Sequence, residues 1–246
     1  TTAERNQLHQ WLGEFDRGVR CFVASVGAES TTAAVEFAKA AVNHGADAVM
    51  AIPPSRVPLP ADELKNYFAA IVEAIPVPVI VQDASGYVGA EIPLSVSCQL
   101  FEKYGSERIM FKPEANPLGT KLSALRDATQ GQAAIFEGSG GISLMDSYSR
   151  GIAGTIPGME FLEQVIYVWK ALENGNVDAA YRAWFPLCAL VSLQLQAGLD
   201  GFLAVEKYIM KRKGLFSTDR RRQPYEWEMD KETCLELERL LRFLSH

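Results

Sequence analysis

Lys112 is the residue whose type and position most directly invite chemistry. It directly follows the apolar run Ile109-Met-Phe111 and precedes Pro113-Glu114. A short apolar run of this kind reads as a buried strand, and in α/β folds the carboxyl ends of the strands face the active site. Apolar walls there disfavour the ammonium form. A neutral amine attacks a carbonyl, which is the Schiff-base use of lysine. The same position also suits a lysine that snorkels from a strand end or pairs with Glu114. Spacing alone leaves both uses open.

Other chemistries have less to work with. There are three histidines: His246 is terminal, His9 lies in a polar helix start, and His44 precedes Gly45, where it reads as a cation near a helix C-terminus. The four cysteines (Cys21, Cys98, Cys188, Cys234) are widely separated and form no CxxC pair, which argues against zinc, redox and disulfide frameworks. Cys98 and Cys188 sit in apolar runs and read as small buried hydrophobes. Val26-Gly27-Ala28-Glu29-Ser30 does not supply G-x-G-x-x-G, and Gly138-Ser-Gly-Gly141 lacks the Walker lysine. The chemistry must therefore rest on lysine, tyrosine, carboxylates, amides and backbone groups. No metal or organic cofactor is expected, and the cysteine usage fits reducing, cytoplasmic surroundings.

The elements that must hold these residues follow a rhythm. Apolar runs at 21–26, 48–52, 77–81, 108–111, 133–136 and 151–156 have the length and residue types of strands buried on both faces. Between them, helical periodicity predicts helices over 31–44, 61–74, 93–104, 117–128 and 142–149. This alternation implies a parallel sheet with right-handed crossovers. After residue 157 the pattern becomes helical, with stretches at 160–173, 176–197, 200–213 and 230–245. The first of these completes the last β/α unit, and the others read as an appended bundle. Six units fit a doubly wound sheet, and a closed (β/α)8 barrel needs eight strands. Two domains are expected: a β/α domain over 1–173, which the resemblance described below makes a (β/α) barrel, and a C-terminal helical bundle over 174–246.

Composition bounds the partners. With 246 residues, 48% hydrophobic, the chain can bury a full-sized core. Its 24 basic against 30 acidic residues give a formal charge of −6, which argues against nucleic acid. Lys211-Arg-Lys213 and Arg220-Arg-Arg222 are too short to reverse that. No apolar stretch is expected to reach membrane-spanning length, and no signal peptide is recognisable at Thr1-Thr2-Ala3-Glu4-Arg5. Leu190, Leu193 and Leu195 read as exposed apolar residues suited to a homo-oligomer contact.

Gly45-Ala-Asp-Ala-Val-Met-Ala-Ile-Pro-Pro54, Val77-Pro-Val-Ile-Val-Gln-Asp-Ala-Ser-Gly-Tyr-Val-Gly89 and Arg108-Ile-Met-Phe-Lys-Pro-Glu114 resemble the dihydrodipicolinate synthase / N-acetylneuraminate lyase family. Gly151-Ile-Ala-Gly-Thr-Ile156 resembles its eighth barrel strand. The likeness covers essentially the whole chain. It is greatest to the branch of 2-keto-3-deoxy sugar-acid dehydratases of the L-2-keto-3-deoxyarabonate type, through Gln82-Asp83, Lys112-Pro-Glu114, Gly138-Ser-Gly-Gly141 and Val205-Glu-Lys-Tyr-Ile-Met-Lys211.

This resemblance implies a (β/α)8 TIM barrel in which Lys112 forms the imine with a 2-keto acid, no cofactor, and a homotetramer. It implies that residue 1 falls where the second barrel helix begins. Strands one and two and the loop that grips the keto-acid carboxylate are then missing from the sequence given, or the chain is a naturally truncated barrel. Gln82 stands where many members carry a proton-shuttling Tyr; an amide orients water or a hydroxyl but exchanges no proton. Tyr87 stands where the diaminopimelate-pathway synthases carry a carboxylate-binding Arg, which disfavours lysine biosynthesis. The site expected is Lys112 and Gln82 as catalytic residues, with Asp83, Glu114, Gly138, Ser139, Gly140 and Ile156 at the substrate and the backbone around Gly138–Gly140 holding a substrate oxygen. Three functions compete: dehydration of a 2-keto-3-deoxy sugar acid, retro-aldol release of pyruvate from a similar acid, and a catalytically silent barrel.

Overall fold

The computed structural model describes residues 1–15, 18 and 21–244. His246, singled out above, lies outside them. The described residues form two compact units. One comprises Thr1–Phe136 with Arg150–Gly154, the other Glu137–Ser149 with the described residues from Thr155 onward.

In the first unit the expected alternation is realised. Helix α1 (Thr2–Glu14) precedes β1 (Val23–Ser25), α2 (Thr31–Asn43), β2 (Ala48–Ala51), α3 (Ala61–Ala74), β3 (Val79–Asp83), α4 (Leu94–Tyr104), β4 (Ile109–Pro113) and α5 (Leu118–Ala128). Strands β1 to β4 lie side by side in chain order, all parallel. A parallel bridge from Phe111 to Ile135 continues the order, and β5 (Phe136–Glu137) pairs with β6 (Gly154–Thr155).

The helices begin and end where the side chains allow. Ser30 caps α2 by accepting the Ala33 N–H at 3.2 Å, and His44 closes it, its N–H donated to Ala40 and Ala41 carbonyls. Pro60 precedes α3, whose buried Leu64, Phe68, Ile71 and Val72 form one stripe. Arg108, at the entry to β4, donates Nη2 to the carbonyls of Val72 and Ile75 at 2.7 and 2.6 Å. That guanidinium satisfies the orphan carbonyls ending α3 and fixes the strand that carries Lys112 against it. Buried Val79, Ile80, Val81, Ile109 and Phe111 build the sheet's core, each contributing about 1.5–3 kcal/mol.

His9 departs from its expected polar setting. It is the buried residue of α1, edge-on to Phe22. Burial first, and the neighbouring Arg5 charge second, lower its pKa.

The second unit holds α6 (Leu144–Ser149), α7 (Leu162–Glu173), α8 (Val177–Gln194), α9 (Gly198–Arg212) and α10 (Lys231–Leu241). Leu190 is fully buried here and Leu195 is 44% exposed, so Leu190 belongs to the core. One face of α8 buries Ala180, Leu187, Leu190, Val191 and Gln194. Besides Leu195, exposed apolar side chains include Tyr181 and Phe185 of α8 and Ile166 and Tyr167 of α7. Val177–Arg212 is long and apolar enough by length and composition to cross a bilayer, which the sequence reading did not anticipate. It is interrupted by a 3-10 turn at Leu195–Ala197. The described cysteines are free thiols; burial pushes the Cys188 thiol up to about 12.

Candidate active site

Strand geometry assembles the first part of the site. In the parallel register Gln82 lies opposite Lys112 and Asp83 opposite Pro113. Side chains alternate across a sheet, so Gln82 and Lys112 share one face while Asp83, Phe111 and Pro113 take the other. Asp83, Phe111 and Pro113 line a small cavity with Leu94 and Ser97 of α4 and Leu125 of α5.

On the first face the Glu114 carboxylate gathers three donors. Its Oε1 is 3.0 Å from Lys112 Nζ, and both side chains are only 7% exposed. Its Oε2 accepts from Tyr87 Oη at 2.8 Å and from the Gln82 amide. The same Gln82 Nε2 also donates to Tyr87 Oη at 3.1 Å. The result is a closed cluster of amine, carboxylate, amide and phenol. Of the two readings left open for Lys112, the pairing with Glu114 is the one seen, at the end of a buried strand. Removing two charges from water is costly, and such a pair persists when further hydrogen bonds satisfy it; Tyr87 and Gln82 supply them. A carboxylate at this distance can take the proton that Lys112 must lose to attack a carbonyl.

Tyr87 is the residue that sequence reasoning missed as part of this cluster, having registered it only as a replacement for an arginine. Burial, then the Glu114 charge, raise its pKa well above the usual phenol range, so it stays a donor at neutral pH. The signal was Ser85-Gly86. The N–H groups of Tyr87 and Val88 both bond the Ala84 carbonyl, turning the chain back over the strand ends. Gly86 is required by close approach, because a Cβ there would lie 2.3 Å from the Glu114 carbonyl oxygen. Gly86→Ala should push the loop off Glu114, cost about 1–3 kcal/mol and lower turnover at least 10-fold. Thermal unfolding and a rate assay check both.

Asp83 sits apart from this cluster. Its Oδ1 and Oδ2 accept the backbone N–H groups of Ser85 and Ile92 at 3.0 and 3.1 Å, so it shapes the 84–92 loop that carries Tyr87. Gln82→Ala removes one donor from Glu114 and one from Tyr87. Turnover should fall by about 10–100-fold, the scale of a single polar interaction with the transition state, while imine trapping at Lys112 persists.

Gly138, Ser139, Gly140 and Ile156 belong to the second unit. Glu137, which the sequence reading overlooked, is fully buried. It accepts the Ser139 N–H at Oε1 and the Thr155 hydroxyl at Oε2, both at 2.7 Å, while its carbonyl accepts the Ile156 N–H at 2.9 Å. Ser139 Oγ accepts the Ser143 N–H at 2.9 Å. The Ser139 amide is thus committed to Glu137, leaving its hydroxyl hydrogen as the group it can offer a ligand. Gly140 and Gly141 have φ of +70° and +99°, conformations that favour glycine. Among the described residues no three His, Cys, Asp or Glu side chains cluster as a metal centre.

The comparisons agree with this architecture. The Dihydrodipicolinate synthetase family matches residues 1–243. An L-2-keto-3-deoxyarabonate dehydratase of Azospirillum brasilense is 26% identical over the whole chain and 79% of its own length. A 4-hydroxy-tetrahydrodipicolinate synthase of Methanococcus vannielii is 26% identical over 78% of this chain, which spans 66% of that relative. Among solved structures, a dihydrodipicolinate synthase of Rhodopseudomonas palustris superposes with a TM-score of 0.87 at 25% identity, covering 99% of this chain and 81% of that one. A dihydrodipicolinate synthase of Acinetobacter baumannii, complexed with pyruvate, gives 0.85 at 20% identity over 99% and 81%. The TIM-barrel class implied by the resemblance is the fold these relatives share, and the chain is a member of the dihydrodipicolinate synthetase family.

Proposed function

We propose that this protein is a Schiff-base lyase that dehydrates a 2-keto-3-deoxy sugar acid of the L-2-keto-3-deoxyarabonate type. The observation that carries the reading is the buried Lys112 amine, 3.0 Å from a carboxylate that is itself held by an amide and a phenol. Lys112 condenses with the C2 ketone of the substrate, and the iminium acidifies C3 and acts as an electron sink. Glu114 first accepts the proton Lys112 gives up and then serves as base toward C3. Gln82 holds the Glu114 carboxylate in place. The Azospirillum relative supports this branch, since it too is a dehydratase, and Gln82 fits elimination at C4 better than a retro-aldol step.

The second reading is a lyase that releases pyruvate from a similar acid. It is favoured by the Tyr87 phenol beside Glu114, a group able to relay the C4 hydroxyl proton that a retro-aldol cleavage must remove. Both reactions share one iminium and differ in which bond at C4 breaks. A panel of 2-keto-3-deoxy acids, assayed in parallel for semialdehyde and for pyruvate, decides between them. Semialdehyde without pyruvate is the expected result, and stoichiometric pyruvate without semialdehyde replaces the dehydratase reading with the lyase reading. The proposal includes a cytoplasmic homotetramer acting on small molecules, without nucleic acid or membrane. Tyr181 and Phe185 are exposed apolar surface available for subunit contact.

A further inference from the structure

We infer that Tyr87 is the general acid that protonates the departing C4 hydroxyl, and that Glu114 recharges it with the proton taken from C3. The inference rests on the dehydratase reading above. It starts from an asymmetry within the cluster: Gln82 and Lys112 are buried and the Glu114 carboxylate is 7% exposed, whereas Tyr87 is 49% exposed. The phenol is the member of the four that opens outward. It is also the one whose proton can be given and regained, because an amide does not act as an acid.

The geometry links the two proton positions. Lys112 stands on Oε1 of Glu114 at 3.0 Å and Tyr87 on Oε2 at 2.8 Å. In the substrate, the imine nitrogen and the leaving oxygen are separated only by C2, C3 and C4. A substrate joined to Lys112 and extended toward Tyr87 therefore lays C3 along the Glu114 carboxylate. Gln82, donating to both Oε2 and the phenol oxygen, fixes the angle between base and acid.

The step balances without an added reactant. Glu114 removes a C3 proton, and the C–H electron pair forms C2=C3 as the iminium π pair moves onto nitrogen. The enamine pair then returns, C3=C4 forms, and the C4–O bond breaks. The leaving oxygen takes the Tyr87 proton and departs as water. The phenolate recovers the proton held by Glu114 across their existing hydrogen bond. The iminium is regenerated in conjugation with the new double bond, and the net loss is one water. Because base and acid are hydrogen-bonded neighbours, proton and hydroxyl leave from the same face.

The test compares wild type with Tyr87→Phe in three assays: dehydration of a 2-keto-3-deoxypentonic acid, elimination from its 4-deoxy-4-fluoro analogue, and exchange of pyruvate methyl protons in D2O. Fluoride leaves without protonation, and methyl exchange reads Lys112 and Glu114 alone. Tyr87→Phe should lose about 10²–10⁴-fold in dehydration, the contribution of a positioned acid. Losing one donor to Glu114 should cost methyl exchange and fluoride elimination no more than about 10-fold, far less than it costs dehydration. Equal losses in all three assays would make Tyr87 a support for Glu114 and overturn the proposal, as would undiminished dehydration. Pyruvate release by the wild type instead of dehydration overturns the functional reading itself, and is distinguishable because it needs no variant.

Discussion

Lys112→Ala should abolish turnover, with no product detectable above the uncatalysed rate and no covalent adduct with a keto acid. The size of the effect follows from the mechanism. Without the amine there is no iminium, and no other group in the cluster can serve as the electron sink. The variant should also be less stable. Glu114 is buried and would lose its counter-charge, a change costing about 3–5 kcal/mol when a buried pair is broken from one side. The two remaining donors, Gln82 and Tyr87, place the expected loss at the lower end. Lys112→Arg separates the effects, because it restores a cation beside Glu114 but cannot form an imine. Denaturant unfolding should show Arg recovering much of the stability that Ala loses, while both variants stay inactive.

Glu114→Gln should be the next most damaging change, for a different reason. The substitution keeps the shape and one acceptor oxygen but leaves the buried Lys112 amine without its counter-charge, so some stability is lost from this side of the pair too. It removes the base, and proton abstraction from C3 should fall by about 10²–10⁴-fold. Methyl exchange of pyruvate in D2O reads that step directly. Imine formation should slow but persist, because Lys112 can give its proton to water. If methyl exchange survives at the wild-type rate, Glu114 is a structural partner of Lys112 and the base is another group.

The backbone of this site was legible in the sequence because strand–helix alternation leaves little freedom. The helix expected over 61–74 spans Ala61–Ala74, and Lys112 lies at the end of its strand as the apolar run before it implied. The run at 77–81 understated β3, which continues through Gln82 and Asp83. Those polar residues stay in the strand because their backbone pairs with Lys112 and Pro113, a pairing invisible to hydrophobicity. Glu114 was named but its role was ambiguous, since a carboxylate two residues beyond a lysine can be a cap, a partner or a base. Tyr87 and Glu137 were missed for a common reason. Each acquires its role through a turn, at Ala84–Val88 and at Glu137–Ser139, which brings a side chain or an amide back over a strand end. Leu190 was misjudged because the period of α8 alone does not say which face meets the neighbouring helices.

The central claim is that Lys112 forms an imine with a 2-keto acid, and borohydride reduction in the presence of pyruvate tests it most directly. Reduction fixes the imine as a stable secondary amine, so peptide mass mapping reports which lysine reacted. The account predicts a single adduct on the peptide containing Lys112, absent from Lys112→Arg. An adduct on another lysine, such as Lys121 or Lys207, with Lys112 unmodified, would contradict it.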